Sequence, residues 1–529
     1  MKNKTIGSII GGSLTEGLVM RVTQGISLDT IKTGNFVCIQ SEQLQFFSLV
    51  TDITLEVADQ EIIQYPPQEH EHLLNQIIAT QRMYALVRLR PMLALNKFGN
   101  HAPVKSIPPH FAPVLQANKE DIARIFGKEQ QGQSAYFNIG NPLDMDAEVC
   151  IDLERFGERS NGIFGKTGTG KTFLTRLMLA GLIKNKKSVC LIFDMHNEYG
   201  VQARKEGGPF VKGLKSLFPS DIVICSLDPQ SSRRRGGNPD LIIRIPYSKI
   251  QVEDVIALQD ELNLNPTAYE SAYLVAAKYK NLWLSTLLSR SDQLKELAQE
   301  VGANVESLAA LHRKLKGLER FGFLSDDATE DVIARMVEYL DKGKSIILEF
   351  GNYTSTLCYL LIANIITRAL HKAYTEKTEK FLATQSAGDE PKKLMIVVEE
   401  AHKFLNLQAA RQTIFGTIAR EMRKYYVSLL VVDQRPSGID AEVLSQIGTK
   451  IVAQLNDDKD IQAVLTGVSG AQQLRTVLSG LDSKKQVLIM GHAVPMPIVI
   501  ESRSYDETFY SAMQQIAYKP VEEILDQLF

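Results

Sequence analysis

The feature that most constrains the fold is a glycine-rich run, Gly165-Lys166-Thr167-Gly168-Thr169-Gly170-Lys171-Thr172. It matches the pattern G-x-x-x-x-G-K-[ST], and a short apolar strand at residues 162–164 leads into it. An apolar helix beginning with Phe173 follows, so the run has the strand–loop–helix context of a P-loop. A chance match in a loop rich in glycine and threonine is the alternative, and this context argues against it.

A P-loop predicts a phosphate site with a defined division of labour. Backbone N–H groups curl around the α- and β-phosphates at the positive end of the following helix. Lys171 is expected to reach the β- and γ-phosphates, and the Thr172 hydroxyl to ligate Mg²⁺. The predicted cofactors are ATP and Mg²⁺, and the predicted nucleotide-binding residues are Gly165, Lys166, Thr167, Gly168, Thr169, Gly170, Lys171, Thr172 and Phe173.

Composition describes an ordinary globular chain that is too long for one hydrophobic core. The 529 residues predict two or three domains, and a net charge of −2 means that any nucleic-acid contact needs a local basic surface. The five cysteines are dispersed without a C-x-x-C pair, which argues against a disulfide framework or a zinc site and favours a reducing, cytoplasmic compartment. No signal peptide is expected, because the apolar run at residues 6–10 is short and followed by glycines. No membrane span is expected, because the most apolar stretch contains Asn364, Thr367 and Arg368.

The first part of the chain has the pattern of a small β-domain. Short β-branched or alternating runs are separated by Gly, Asp and Asn turns, at residues 17–22, 36–40, 46–53 and 84–89. They predict a small β-barrel or sandwich domain at residues 1–110. The proline-rich run at residues 107–113 is interpreted as the linker that leads out of this domain.

From about residue 135 the pattern changes to apolar strands that alternate with helices. Continuous Val, Ile and Leu runs of this kind are typical of a parallel sheet covered on both faces, here an α/β domain at residues 135–510. Its strands are predicted at residues 162–164, 189–193, 222–226, 345–349, 394–398, 428–432, 450–454 and 486–490. A helical insertion is predicted at about residues 250–340, with Ser325 to Asp327 capping its last helix, and a C-terminal tail at residues 511–529.

A second motif lies at the end of a predicted strand, where Leu394-Met395-Ile396-Val397-Val398 runs into Glu399 and Glu400. Two carboxylates at the end of an apolar strand are what a Walker B motif needs. Glu399 is predicted to hold Mg²⁺, and Glu400 to orient and deprotonate the attacking water. The alternative is a strand that enters an acidic helix N-terminus, where carboxylates stabilise the helix dipole.

Further candidates follow in the segment Ile418-Ala419-Arg420-Glu421-Met422-Arg423-Lys424 and the strand after it. Arg420 and Arg423 are three residues apart on a predicted helix and share a face, which suits an arginine finger given to a neighbouring subunit's ATP. A solvated basic helix face is the alternative. Gln434 comes just after a buried strand, where its amide is placed to sense the γ-phosphate.

Two other segments carry weaker signals. Asp194 ends a predicted strand and opens Asp194-Met195-His196-Asn197-Glu198-Tyr199, at the sheet edge where parallel α/β proteins bind ligands. The spacing of His196 and these acids is not diagnostic of a metal site. The run Arg233-Arg234-Arg235 is either a phosphate-binding loop or a plain solvated turn.

Together these segments resemble the HerA branch of the HerA/FtsK hexameric ATPases. The resemblance rests on the runs GKTGTGKT, DMHNEY, VVEEAHKF, AREMRKYYVSLLVVDQRPS and EVLSQIGTKIVAQL. Upstream, IGSIIGGSLTEGLVMRV is similar to the family's N-terminal HAS-type β-barrel. The resemblance implies a RecA-like P-loop NTPase core with a helical insertion, preceded by a small β-barrel domain.

The resemblance also implies a mode of action. Family members form a ring of six subunits with ATP sites between neighbours, and they thread double-stranded DNA through a central channel. Glutamate at the position of Glu399 is familiar there, and Arg423 becomes the preferred finger candidate over Arg420. Partners implied are a separate nuclease of the NurA type or a defence effector such as a sirtuin-type NADase, with no membrane association.

The sequence leaves two other functional classes open beside an ATP-driven DNA translocase. One is an ATP-dependent hexameric scaffold that assembles and regulates a defence effector with little DNA translocation. The other is a conjugation or secretion motor, against which the absence of an expected membrane segment counts.

Overall fold

The structure is a computed structural model that describes residues 4–57, 83–130, 132–204, 210–326, 330–421, 424–468, 470–482 and 485–514. Its first unit is a β-barrel. The barrel strands are β1 (Thr5–Ser13), β2 (Gly17–Val22), β3 (Phe36–Gln40), β4 (Leu44–Val57), β5 (Met83–Asn96) and β7 (Pro113–Gln116). They pair in the order β2-β1-β7-β3-β4-β5, and a β2–β5 pairing closes the barrel. The short β6 (His101–Ala102) pairs antiparallel with β5. Apolar side chains such as Ile9, Met20, Phe46 and Val114 fill the interior.

The proline-rich run does not serve only as a linker. Pro113 begins β7, which pairs with both β1 and β3 and so completes the barrel beyond residue 110. Proline is tolerated at the first position of a strand, because its missing N–H lies at the strand end and not inside the ladder of hydrogen bonds. The proline-rich composition that predicts a linker therefore overlaps the first residue of β7, the strand that completes the barrel.

A large mixed sheet forms the centre of the second unit. Among the described residues it has twelve strands in the order β15-β14-β18-β11-β19-β20-β10-β21-β22-β23-β8-β9. The strands from β15 to β21 in this order run parallel, and the remaining pairings are antiparallel. Their bounds are β8 (Tyr136–Pro142), β9 (Val149–Asp152), β10 (Asn161–Phe164), β11 (Val189–Asp194), β14 (Ile222–Ser226), β15 (Leu241–Ile242), β18 (Ser345–Glu349), β19 (Leu394–Glu399), β20 (Val427–Asp433), β21 (Thr449–Val452), β22 (Gln486–Gly491) and β23 (Ile498–Ser502). All eight strands predicted for this domain are present.

The sheet is buried on both faces, as its continuous apolar strands require. Along β11, Leu191 and Phe193 pack into one core while Cys190 and Ile192 pack into another, because successive strand side chains point to opposite faces. The first core includes the helical insertion, and the second includes the helix after the P-loop. Two small pairs lie outside the sheet: β12 (Gln202–Arg204) with β13 (Phe210–Lys212), and β16 (Ile245–Pro246) with β17 (Leu324–Ser325).

The described α-helices cover the sheet and form the insertion. They are α1 (Lys119–Phe126), α2 (Leu153–Gly157), α3 (Lys171–Lys184), α4 (Leu214–Leu217), α5 (Pro229–Arg234), α6 (Val252–Ile256), α7 (Gln259–Leu262), α8 (Pro266–Tyr279), α9 (Trp283–Ser289), α10 (Leu294–Val301), α11 (Val305–Lys316), α12 (Val332–Asp341), α13 (Thr356–Thr384), α14 (His402–Leu405), α15 (Ala409–Gln412), α16 (Ile414–Glu421), α17 (Ala441–Gln446), α18 (Asp458–Val464), α19 (Ala471–Ser479) and α20 (Glu507–Gln514). Helices α6 to α12 fall within the predicted insertion. None of the helices in the described ranges is long and apolar enough to cross a bilayer.

The N-cap of α12 differs from the sequence interpretation. Asp331, not the segment from Ser325, caps this helix, and its carboxylate accepts a hydrogen bond from the Ala334 N–H at 3.2 Å. Ser325 is instead part of β17. Both segments carry an acid before an apolar run, so the sequence signal alone did not separate them.

Candidate nucleotide site

The P-loop connects β10, which lies between the parallel strands β20 and β21, to the buried helix α3. Gly168 and Gly170 have φ values of 80° and 88°, in the left-handed region that glycine adopts without strain. Gly170 is also the N-cap of α3. The glycine spacing is therefore set by the backbone path that turns the chain from the strand end into the helix.

Hydrogen bonds inside the loop hold its lysine close to the backbone. Lys171 Nζ donates to the Lys166 carbonyl at 2.9 Å, and Thr169 Oγ1 donates to the same carbonyl at 2.8 Å. Gly165 is buried, and a Cβ atom there would lie 2.8 Å from the Ala453 Cβ. The ammonium group of Lys171 is thus positioned at the loop.

Glu399 and Glu400 occupy different environments although they are adjacent. Glu399 is 8% exposed at the end of β19, and its Oε1 accepts a hydrogen bond from the Tyr199 hydroxyl at 2.7 Å. Burial raises the pKa of Glu399 to about 7, and the hydrogen bond from Tyr199 acts in the opposite direction. Burial also raises the pKa of Tyr199 well above its usual value, so its hydroxyl stays protonated and donates.

Glu400 belongs to a hydrogen-bonded chain that crosses from the second motif to the P-loop. Its φ of 49° places a non-glycine residue in the left-handed region, which is a strained arrangement found often at functional sites. Gln434 Nε2 donates to Glu400 Oε1 at 3.2 Å, and Thr167 Oγ1 donates to Gln434 Oε1 at 2.7 Å. The structure therefore brings together three residues from sequence-distant segments that the sequence analysis had selected separately.

Four carboxylates lie at the ends of four adjacent parallel strands: Glu349, Asp194, Glu399 and Asp433, on β18, β11, β19 and β20. Three have evident structural partners. Glu349 Oε2 pairs with Arg235 at 2.8 Å, Asp194 accepts two backbone N–H groups at 2.7 and 2.9 Å, and Asp433 accepts two at 2.7 and 2.6 Å. Glu399 Oε2 is buried with no hydrogen-bond partner among the described residues.

The orphaned Oε2 of Glu399 fits a divalent cation. A buried carboxylate oxygen without a partner is costly unless a ligand satisfies it, and carboxylate and hydroxyl oxygens are the ligands that Mg²⁺ takes in such sites. Glu399 and Thr172 line the same cavity, so the residues present would hold Mg²⁺ beside the P-loop.

The cavity has a volume of about 720 Å³ and extends beyond the predicted residues. The P-loop from Thr167 to Thr172, then Phe173, Glu399, Glu400 and Gln434, line part of it. Its remaining lining comes from the helix α3, the segment after β11, the end of β20, the residue before β22 and the chain around β23. These residues are Leu174, Arg176, Leu177, His196, Glu198, Val432, Asp433, Lys485, Ser502, Arg503, Ser504, Tyr505 and Asp506.

The wall formed by the chain after β23 was missed by the sequence analysis. Tyr505 packs edge-on against Phe173, with ring centroids 6.2 Å apart, and also contacts Phe509 at 5.0 Å and Tyr510 at 5.2 Å. The cluster of aromatic residues Tyr505, Phe509 and Tyr510 near the C-terminus was the available sequence signal, but nothing in the linear sequence connects it to the P-loop.

The predicted arginine pair is the least defined part of the site. Arg420 does not line the cavity of its own chain; its Nη2 donates to the Ala410 carbonyl at 2.8 Å, and its Nη1 lies 4.0 Å from Glu442. Arg423 lies outside the described residues. The proposed finger role of either residue remains a prediction.

The two segments with weaker sequence signals lie in different environments. His196 lines the cavity, while Asp194 is fully buried and is not part of the lining. In the Arg233–Arg235 run, Arg235 is tied to Glu349, and Arg233 and Arg234 are exposed near the end of α5.

Comparisons with known proteins find similarity to helicases. Residues 137–370 match the family model described as "Helicase HerA, central domain". The "DNA double-strand break repair helicase HerA" of Saccharolobus solfataricus is 24% identical over 512 residues, which is 94% of this chain and 91% of that protein. Its namesake from Sulfurisphaera tokodaii is 25% identical over 520 residues, covering 95% of this chain and 93% of that protein.

Two solved structures show a limited likeness to this chain. The bacterial conjugative coupling protein TrwB has a TM-score of 0.47 and 10% identity, covering 74% of this chain and 92% of that one. VirB4 of Thermoanaerobacter pseudethanolicus has a TM-score of 0.45 and 15% identity, covering 71% and 98%. The sequence matches extend from the barrel through the nucleotide cavity, so the chain is similar to HerA helicases over nearly its whole length, and it is a P-loop ATPase with ATP and Mg²⁺ as its cofactors.

Proposed function

We propose that this chain forms a homohexameric ring that hydrolyses ATP between subunits and uses the energy to move double-stranded DNA through a central channel. The printed names of its relatives, DNA double-strand break repair helicases, support DNA as the substrate. Their alignment over nearly the whole chain supports a shared activity and not merely a shared domain.

The observation that carries hydrolysis is the chain of hydrogen bonds from Thr167 through Gln434 to Glu400. These hydrogen bonds place the Glu400 carboxylate, a proton acceptor, next to the Gln434 amide, which contacts the P-loop. Both side chains can therefore respond to the γ-phosphate. In the proposal Glu400 takes the proton of the attacking water, and Gln434 orients it.

Charge stabilisation comes from the remaining residues. Lys171 neutralises the β- and γ-phosphate oxygens, and Glu399 with Thr172 holds the metal. Bound Mg²⁺ would neutralise charge that develops on the phosphate oxygens. The backbone N–H groups of the P-loop bind the phosphates at the N-terminus of α3.

The position of Arg420 supports the proposed ring. Arg420 contacts α15 and α17 of its own chain and does not reach its own cavity. An arginine from this segment would then complete the site of the next subunit, and we propose Arg423 first and Arg420 second for this role. Each ATP site is thereby incomplete in a single chain.

We further propose that the ring works in the cytoplasm with a separate effector, in DNA end processing or in phage defence. For DNA end processing, the proposed partner is a separate nuclease of the NurA type. A sirtuin-type or other defence effector is the alternative partner for the same ring.

The test is ATP hydrolysis by the purified full chain with and without linear double-stranded DNA. We expect DNA to stimulate the rate, and Glu400→Gln to lower the rate by about 10²–10⁴-fold while ATP binding persists, because it removes the proton acceptor. Phosphate release and equilibrium nucleotide binding measure the two effects.

The outcomes separate the candidate functions. Brisk hydrolysis by Glu400→Gln would contradict the role given to Glu400. Hydrolysis that DNA does not stimulate, in a ring that still forms, would favour the scaffold that assembles a defence effector.

A further inference from the structure

Hydrogen bonds hold the segment from Asp194 to Tyr199 in a tight turn, and the proposed reaction so far gives this turn no role. The Asp194 carboxylate accepts hydrogen bonds from the N–H groups of Glu198 at 2.7 Å and Tyr199 at 2.9 Å. Asn197 supplies the reversal with a φ of 56°. The fully buried Asp194 carboxylate thus holds the chain after β11 in a tight turn and determines the position of Tyr199.

The turn delivers the Tyr199 side chain to the second motif. Tyr199 is fully buried, and its hydroxyl donates to Glu399 Oε1 at 2.7 Å. The other oxygen, Oε2, is buried without a hydrogen-bond partner in the described part of the chain. One oxygen of the carboxylate is therefore held and the other is left for a ligand.

Arg176 stabilises the same arrangement from the P-loop helix. It is 1% exposed, its Nη2 donates to the Glu198 carbonyl at 2.6 Å, and its guanidinium lies 5.7 Å from the Tyr199 ring centroid. Arg176 is four residues after Thr172 on α3, so the two side chains share a helix face. The turn is thereby tied to the helix that carries the Thr172 hydroxyl.

We propose that Tyr199 is a positioning residue that fixes the Glu399 carboxylate so that Oε2 faces the divalent cation of the bound nucleotide. This inference rests on the proposed function of the cavity as a Mg–ATP site. Tyr199 does not line the cavity; it acts through the orientation of Glu399, as hydrogen-bonded outer residues orient ligands at other metal sites.

The structure offers a matched control at the same glutamate. Tyr359 is also fully buried, but its hydroxyl bonds to the backbone of Glu399, donating to the carbonyl at 3.1 Å and accepting from the N–H at 3.2 Å. Tyr359→Phe and Tyr199→Phe each remove one buried hydroxyl that is hydrogen-bonded to Glu399. Only Tyr199→Phe releases the carboxylate.

The experiment measures Mn²⁺ binding by electron paramagnetic resonance in the presence of a non-hydrolysable ATP analogue, using the full chain. We expect Tyr199→Phe to weaken Mn²⁺ binding about tenfold, the lower end of the effect of losing an outer-shell partner. Metal-free nucleotide binding should stay near the wild-type value, and Tyr359→Phe should keep near wild-type Mn²⁺ affinity. The Mg²⁺ concentration that gives half-maximal hydrolysis should rise in parallel for Tyr199→Phe alone.

A second variant protects the test against misfolding. Asp194→Asn keeps one oxygen that accepts a hydrogen bond from the turn but loses the second acceptor oxygen of the carboxylate. We therefore expect Mn²⁺ binding to weaken, but less than in Tyr199→Phe. Wild-type Mn²⁺ affinity in Tyr199→Phe, or equal losses in Tyr199→Phe and Tyr359→Phe, would overturn the positioning role. Failure of the wild-type chain to hydrolyse Mg–ATP would instead overturn the proposed function.

Discussion

At the scale of single residues, the position of an acid follows from the sequence but its partner does not. Apolar strands that end in Asp194, Glu349, Glu399 and Asp433 are visible as patterns, and parallel strands bring their ends to one edge. Which acid is left for a ligand depends on neighbours from distant segments, such as Arg235 at Glu349. Only Glu399 of these four has an oxygen that is recorded as buried and unpartnered in the described ranges.

Lys450 shows the opposite case, a positive charge buried in the sheet. It is 2% exposed on β21, and its Nζ donates to the Thr466 carbonyl at 2.6 Å. Burial lowers the pKa of its ammonium from 10.5 to about 8, because the charged form is desolvated. The sequence gives no sign of this, since lysine in a strand usually faces solvent.

This buried lysine predicts a pH dependence of stability. Between pH of about 8 and 10.5 the unfolded chain keeps the Lys450 proton that the folded chain has released, so this residue makes stability rise with pH. Relative to Lys450→Met, the wild-type free energy of unfolding should gain up to about 1.4 kcal/mol per pH unit in this window. Thermal unfolding midpoints of both proteins at pH 7 and pH 9.5 measure it; a constant difference would contradict it.

At the scale of elements, the far wall of the cavity depends on two segments that the chain separates widely. Helix α3 presents Phe173, and the turn between β23 and α20 presents Tyr505 against it. The antiparallel strands β22, β23 and β8 extend the sheet beyond β21, and the turn follows directly after β23. The nucleotide's base end is the part that such an aromatic wall would contact.

Loss of this wall should weaken nucleotide binding more than it affects the chemical step. Tyr505→Ala removes the ring that packs on Phe173, and we expect the Kd for ATP to rise about tenfold, equivalent to about 1.4 kcal/mol. Tyr505→Phe is the matched control, because it keeps the ring and loses only the hydroxyl bond to the Lys212 carbonyl. Fluorescent ATP-analogue titrations report both; an unchanged Kd in Tyr505→Ala would exclude this wall from the binding site.

At the scale of the whole molecule, the question is whether one chain contains a complete active site. The cavity collects the P-loop, both glutamates and Gln434, yet Arg420 lies elsewhere on the surface formed by α15, α16 and α17. A ring in which each subunit donates an arginine to its neighbour reconciles these positions, since a heterologous interface repeats the same contact around the axis.

Mixing two inactive variants tests this arrangement. Glu400→Gln lacks the proton acceptor, and the double variant Arg420→Ala with Arg423→Ala lacks the predicted finger, which should cost about 10³-fold or more. When co-expressed in equal amounts, about a quarter of the interfaces in a random ring combine an intact glutamate with an intact arginine. Hydrolysis should reappear in the mixture. No recovery in rings shown to contain both variants would place the arginines' function within their own subunit.

The sequence alone determined the fold class, the P-loop and the paired glutamates. These rest on local signals: glycine spacing, apolar runs of strand length and acids at strand ends, each read within a few residues. The eight predicted strands of the ATPase sheet are present for the same reason. The completed barrel could not be predicted in full, because a proline-rich run reads as a linker whether or not its last residue enters a strand.

Tertiary structure decided which of these residues act together. The Tyr199 bond to Glu399, the Gln434 link to Thr167 and the Tyr505 contact with Phe173 each join segments far apart in the chain. Such pairings arise from sheet order and from turns held by buried carboxylates, and neither leaves a periodic trace in the sequence. The P-loop motif therefore identified a phosphate site, while the packing of the sheet determined which side chains surround it.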